Sequence, residues 1–276
     1  MIYYSVDDWT DAYSNMIHIA GADQLPRVWA ELAAEYRAVC AAANRARLGI
    51  SYGKTERECF DIFMPNEPPT GLVVFVHGGY WMETDNSYWS HLAAGCVENG
   101  YAVAIPSYPA CPSARISQIS VQVTEAIVAA AKIVAGPIHL VGHSAGGHLV
   151  TRAMTRTSPL SEATARRIEN VVSISGVHDL RPMMRTAMNK TLRLDTNEAM
   201  EESPVLATPR EGTRLLCWAG ANERAEFLRQ SALLANIWAG LGAKTASYED
   251  PNRNHFDVLD GLLNPEHPLT RAILGI

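Results

Sequence analysis

From about residue 57 onward the chain alternates short apolar runs, rich in β-branched and aromatic residues, with longer stretches whose apolar positions recur at helical spacing. The short runs predict strands over 58–63, 72–76, 101–106, 138–141, 171–175, 214–218 and 245–248. Between them the spacing predicts helices near 87–98, 115–134, 145–157, 224–240 and 255–263. Several strands are apolar almost throughout, as strands covered on both faces must be. Strand and helix in repetition imply an α/β architecture, a mostly parallel twisted sheet with helices on both faces. Such sheets carry their chemistry in loops at the carboxyl ends of the strands. Ahead of this alternation, Val28-Trp29-Ala30-Glu31-Leu32-Ala33-Ala34-Glu35-Tyr36 follows a helical period, so residues 1–50 read as an N-terminal, mostly helical segment. The stretch 180–208 interrupts the alternation and is methionine-rich (Met183, Met184, Met188, Met200). It is either a small helical cap over the active edge of the sheet or a peripheral helix pair that only packs.

Composition narrows the class. With 276 residues and no internal repeat or low-complexity linker, the chain is expected to form one domain, 1–276. A net charge of −6 argues against a nucleic-acid partner, which would call for a basic face. No apolar run approaches the roughly 18 residues that cross a bilayer, and the first residues lack the basic-then-apolar pattern of a signal peptide, so no membrane partner is expected. The five cysteines (Cys40, Cys59, Cys96, Cys111, Cys217) are odd in number and scattered, with no C-x-x-C pair. They fit neither a disulfide framework nor a zinc site and point to a reducing, cytoplasmic compartment. No metal or organic cofactor is implied. The expected partner is a small acyl molecule, with self-association into a homodimer left open.

The chemistry sits where strands end. Strand 138–141 runs into Gly142-His143-Ser144-Ala145-Gly146-Gly147, and a helical pattern follows at once. This is G-x-S-x-G at a strand-to-helix turn, a setting that exposes a serine nucleophile above the sheet. Strand 72–76 ends in His77-Gly78-Gly79-Tyr80-Trp81, a loop whose backbone N–H groups can hold an oxyanion. The expected donors are Gly79, Tyr80 and Ala145, with Gly78 as alternative, and His77 braces the loop. A serine hydroxyl needs a base, and the base an orienting carboxylate, in the chain order serine, acid, histidine. Of the nine histidines only His255 and His267 follow the last predicted strand. His255, in a turn-rich loop, is the base, while His267 lies in the tail. The loop after strand 214–218 holds no aspartate, so Glu223 is the acid, with Glu226 second and Asp179 as a rival that more readily caps the segment after it.

These stretches resemble the eukaryotic-type kynurenine formamidases (arylformamidases) of the α/β-hydrolase superfamily. The resemblance rests on His77-Gly78-Gly79-Tyr80-Trp81, on Asp61-Ile62-Phe63-Met64-Pro65, and on Gly142 to Leu149. It continues through Ser175-Gly176-Val177-His178-Asp179-Leu180, Glu226-Phe227-Leu228-Arg229-Gln230-Ser231 and His255-Phe256-Asp257, and spans most of the chain from about residue 50. It implies the α/β-hydrolase fold, a triad on Ser144, Glu223 and His255, and hydrolysis of N-formylkynurenine to kynurenine and formate. The family usually has aspartate at the position of Glu223. Trp81 is then either an aromatic wall for the substrate or a loop anchor buried under the cap. Esterases of the hormone-sensitive-lipase type share a related H-G-G loop, so a small-molecule carboxylesterase or thioesterase is the competing expectation. A non-catalytic binding protein on the same fold is the third.

Overall fold

The computed structural model describes residues 5–276. Eight strands pair into one sheet: β1 (Ala46–Ser51), β2 (Cys59–Phe63), β3 (Leu72–Val76), β4 (Ala102–Pro106), β5 (Ile138–His143), β6 (Ile168–Ile174), β7 (Arg214–Gly220) and β8 (Lys244–Asp250). Their spatial order is β1-β2-β4-β3-β5-β6-β7-β8. The pairs β1–β2 and β2–β4 are antiparallel, and every other pair is parallel. The helices are α1 (Trp9–Tyr13), α2 (Leu25–Ala42), α3 (Ala94–Glu98), α4 (Ile116–Ile133), α5 (Ala145–Ala153), α6 (Glu162–Ala165), α7 (Asn189–Leu192), α8 (Thr196–Glu201), α9 (Ala225–Gly240) and α10 (Pro268–Leu274). Among the described residues no helix is long and apolar enough to cross a membrane.

The unbroken apolar run of β3 is explained by what covers it. Leu72, Val74 and Val76 point into the core beneath α4, α5 and α9, while Val73 and Phe75 point into a second core with Trp89, Leu92, Leu269 and Ile273. Alternate residues of one strand thus serve opposite cores, as a period of two requires. α4 follows the same logic on one side only: Ile116, Ile119, Val123 and Ile127 form a buried stripe at helical spacing.

The seven predicted strands are all present, and β1 is an addition. It lies at the sheet edge, exposed on most positions, and its pairing with β2 shifts between Arg47 and Ile50. Gly49 at the bulge has φ +65° and donates its N–H to Asp61 Oδ1 at 2.8 Å. An edge strand with polar and glycine positions carries no clear alternation, and the expectation of helix through residue 50 is corrected there. The helix expected at 87–98 is broken into two 3-10 turns (Asn86–Tyr88, Ser90–Ala93) and the short α3. That expected at 255–263 is a 3-10 segment, Asp257–Leu263.

The segment 180–208 packs against the body. Met183 is fully buried in the core, Glu198 accepts hydrogen bonds from Ser117 and Arg115, and Glu202 accepts from Ser120 Oγ (2.6 Å) and Arg152 (3.2 Å).

Candidate active site

β5 ends at a sharp bend at Ser144. Ser144 has φ 54° and ψ −115°, a conformation that for a non-glycine residue stores about 1–3 kcal/mol of strain. Its N–H donates to Ile174 O at 2.8 Å, which ties the bend to β6. The two motif glycines are there for space. A Cβ on Gly146 would lie 1.9 Å from Val76 O, and one on Gly142 would lie 2.1 Å from Gly146 O. α5 starts at the next residue, so the N–H of Ala145 is among the unpaired donors of a helix start.

Facing the bend is the loop after β3. Gly79, Tyr80 and Trp81 have φ of 104°, 50° and 59°, and Gly79 O accepts the N–H groups of Met82 and Glu83, both at 2.8 Å. A Cβ on Gly79 would lie 2.3 Å from Glu83 O, so glycine is required at this turn. Among the described residues the N–H groups of Gly79, Tyr80 and Ala145 have no protein acceptor. Gly78 packs against the bend itself, its Cβ position being 3.1 Å from Ser144 Cβ. His77 donates from Nδ1 to Gly78 O at 2.7 Å and stacks on Tyr108 at 4.4 Å, and burial pushes its pKa down to about 4. It braces the loop as a neutral ring.

His255 and Glu223 meet above β7 and β8. The imidazole Nδ1 donates to Glu223 Oε2 at 2.7 Å, and both side chains are almost wholly buried. That bond assigns the proton to Nδ1 and leaves the Nε2 lone pair free to accept one. Glu223 Oε1 accepts from the N–H of Gly220 at 2.7 Å and from Ser175 Oγ at 2.5 Å. The loops are pressed together: a Cβ on Gly220 would lie 2.3 Å from Arg253 O. The other candidates lie elsewhere. Glu226 pairs with Arg229 and accepts from Tyr13 OH, Asp179 pairs with Arg181 at 2.8 Å, and His267 caps α10 by accepting Leu269 N–H at 3.2 Å.

A cavity of about 280 Å³ opens over these residues, and Ser144, His255, Gly79 and Tyr80 all line it. Its walls are mainly aromatic and sulfur-bearing, with Trp29, Trp89, Phe256, Met82 and Met188 among them. From the segment 180–208 only Met188 reaches it. Its roof is the N-terminal segment, through Thr10, Tyr13, Asn15 and Ile17. Trp81 does not line it. The indole has no exposed surface, stands in the core, and donates from Nε1 to His148 Nδ1 at 3.2 Å. The expectation of Trp81 as a substrate wall is corrected: it anchors the loop, and Trp29 and Trp89 supply the aromatic wall.

Four contributors escaped the sequence. Ser175 buttresses the acid; Asn15 and Tyr13 hold Tyr80 OH, Asn15 donating at 3.1 Å and Tyr13 O accepting. His143 donates from Nε2 to His255 O at 2.8 Å, and burial drives its pKa well below the usual value. Asn15 and Tyr13 lie in no recognisable local motif, His143 fills the variable position of G-x-S-x-G, and Ser175 opens the stretch Ser175 to Leu180, which carries no sign of its contact with Glu223. Among the described residues no cluster of three or more His, Cys, Asp or Glu side chains is arranged to hold a metal ion.

A doubly covered, mostly parallel sheet with a serine bend after β5 and a facing glycine loop after β3 defines an α/β-hydrolase. Residues 60–212, more than half of the chain, match the BD-FAE family model, and the chain belongs to that family. The kynurenine formamidase of Danio rerio is 25% identical over 266 residues, covering 90% of this chain and 90% of that protein. A crystal structure of a protein provisionally described as a thioesterase, from Silicibacter sp. TM1040, is 45% identical. It superposes with a TM-score of 0.90 over 96% of this chain and 98% of that one. An esterase from Pyrobaculum calidifontis, at 15% identity and a TM-score of 0.68 over 91% of this chain and 92% of its own, shares the fold. The protein is a hydrolase related to kynurenine formamidases and esterases.

Proposed function

We propose that the protein hydrolyses small aromatic acyl compounds, foremost aryl formamides of the N-formylkynurenine type, through a Ser144–His255–Glu223 triad and an acyl-enzyme. The observation that carries this reading is the convergence of Ser144 and the Glu223-bound His255 on one aromatic-walled cavity. His255 Nε2 takes the proton of Ser144 Oγ as the oxygen attacks the formyl carbon. The N–H groups of Gly79, Tyr80 and Ala145 hold the developing oxyanion, a contribution of roughly 10²–10³ in rate per donor. His255 then returns the proton to the aryl nitrogen, the C–N bond breaks, and the aryl amine leaves. Water, deprotonated by His255, cleaves the formyl ester and releases formate, while Glu223 stabilises the imidazolium in both halves.

The formamide preference rests on the kynurenine formamidase relatives. The second reading, a short-chain esterase or thioesterase, rests on the 45% identical structure. The five unpaired cysteines favour a reducing, cytoplasmic setting for either. The deciding experiment compares kcat/KM for N-formylkynurenine, p-nitrophenyl acetate and acetyl thioesters in the wild type and in Ser144→Ala. Formamide cleavage that falls on the order of 10⁴-fold or more in the variant is the expected result. Ester or thioester turnover with no detectable formamide cleavage removes the formamidase reading. Failure of a fluorophosphonate to label Ser144 removes the enzyme mechanism.

A further inference from the structure

The cavity over Ser144 carries almost no charge. Glu83, exposed and without an ion-pair partner among the described residues, is its one carboxylate, and no Lys or Arg is found among the described residues that line it. Most of the hydroxyl groups along the wall are already committed as donors, Thr10, which accepts the N–H of Ala187 at 2.9 Å, being an exception. Ser14 donates to Thr10 O at 2.7 Å, Thr84 to Gly78 O at 3.2 Å, and Tyr80 to Tyr13 O. The neighbouring guanidinium groups are equally engaged. Arg57 donates to Tyr108 O (2.8 Å) and Thr84 O, and Arg224 is bound to Asp11. A carboxylate drawn into this space would leave water with no cation to meet it, an unfavourable transfer. It would also meet the field of Glu83 on entry.

We propose that the site selects acyl substrates whose distal end is neutral or cationic and discriminates against those carrying a carboxylate. This rests on the cavity being the place where Ser144 meets its substrate. N-Formylkynurenine is then a compromise ligand: its aromatic ring and ammonium group are matched, by the indoles and by Glu83, and its carboxylate is not.

The test is kcat/KM for N-formylkynurenine beside its decarboxylated analogue, which keeps the formanilide and the amine. A parallel pair, phenyl acetate and 4-acetoxybenzoate, is normalised to the hydroxide-catalysed rates. The carboxylate-free member of each pair is expected to be favoured about tenfold or more at low ionic strength, mostly in KM. Glu83→Gln should shrink that preference severalfold. Equal or better use of both carboxylated members overturns the proposal. If neither formamide is cleaved while the esters are, formamide specificity fails, and the ester pair still decides the question of charge.

Discussion

Glu223 reaches one methylene further than an aspartate would, and three donors fix where that extra length ends. Gly220 N–H and Ser175 Oγ take one carboxylate oxygen and His255 the other. Ser175 is fully buried at φ 52°, its own N–H held by Trp218 O at 2.7 Å, so its hydroxyl has little freedom to do anything else. Removing it as Ser175→Ala deletes a hydrogen bond to a charged acceptor, about 1.5–3 kcal/mol. The expected outcome is kcat lowered roughly tenfold with KM unchanged, because the imidazolium is less well oriented while the cavity is untouched. A raised KM at constant kcat would refute this positioning role. Trp81 behaves oppositely: Trp81→Ala should lower stability by about 3–5 kcal/mol, measured by urea unfolding, and a fully stable variant would contradict its anchoring role. Ser144, His255 and Glu223 could be singled out as candidates because the fold imposes an order along the chain. Ser175 and His143 could not, since their roles depend on contacts between β6, β7 and the His255 loop that no local spacing encodes.

At the level of elements, the roof of the cavity is a strap rather than a domain. α1 is five residues long and capped by Asp8, whose side chain accepts from the N–H groups of Thr10 and Asp11. So short a helix has no stability of its own. It is held by Asp11, which binds Arg224 beside the acid loop and His18 at 2.7 Å, and by Tyr13 and Asn15 gripping Tyr80. The strap thus touches both the oxyanion loop and the acid loop. Tyr80→Phe cuts its link to the oxyanion loop while leaving the Tyr80 N–H in the chain. A fall of about three- to tenfold in kcat with little change in melting temperature is expected, as loosening of one oxyanion donor implies. Faster cleavage by chymotrypsin at Tyr13 would accompany it if the strap loosens as a unit; unchanged kcat would show that the strap only covers. The core elements were readable because β3, β5 and α4 repeat a pattern strongly. The strap was not: the helical period of Val28 to Tyr36 marks α2, but nothing in residues 5–24 signals which surface they will lie on.

Across the whole molecule, histidine is used mostly as a neutral, buried residue. Burial lowers the pKa of His77 and His91 to about 4 and of His148 and His178 to about 3, and that of His143 well below its usual value. In the unfolded chain each would titrate near 6.5. Between those limits the unfolded state binds more protons than the folded one, so stability increases with pH through the window. It is complete above about pH 6.5 and is lost as the solution is acidified toward the folded values. Each such histidine changes stability by about 1.4 kcal/mol per pH unit once the unfolded form is protonated. The four with numerical values together remove up to roughly 5 kcal/mol between pH 6 and pH 5, a large share of the 5–15 kcal/mol typical of a domain. Urea midpoints should therefore be nearly flat from pH 8 to 7 and drop steeply below pH 6. His91→Gln, which replaces one of these rings by a group that does not titrate, should make the slope shallower by about one proton. Midpoints that stay constant down to pH 5 would show that these rings are protonated in the folded protein.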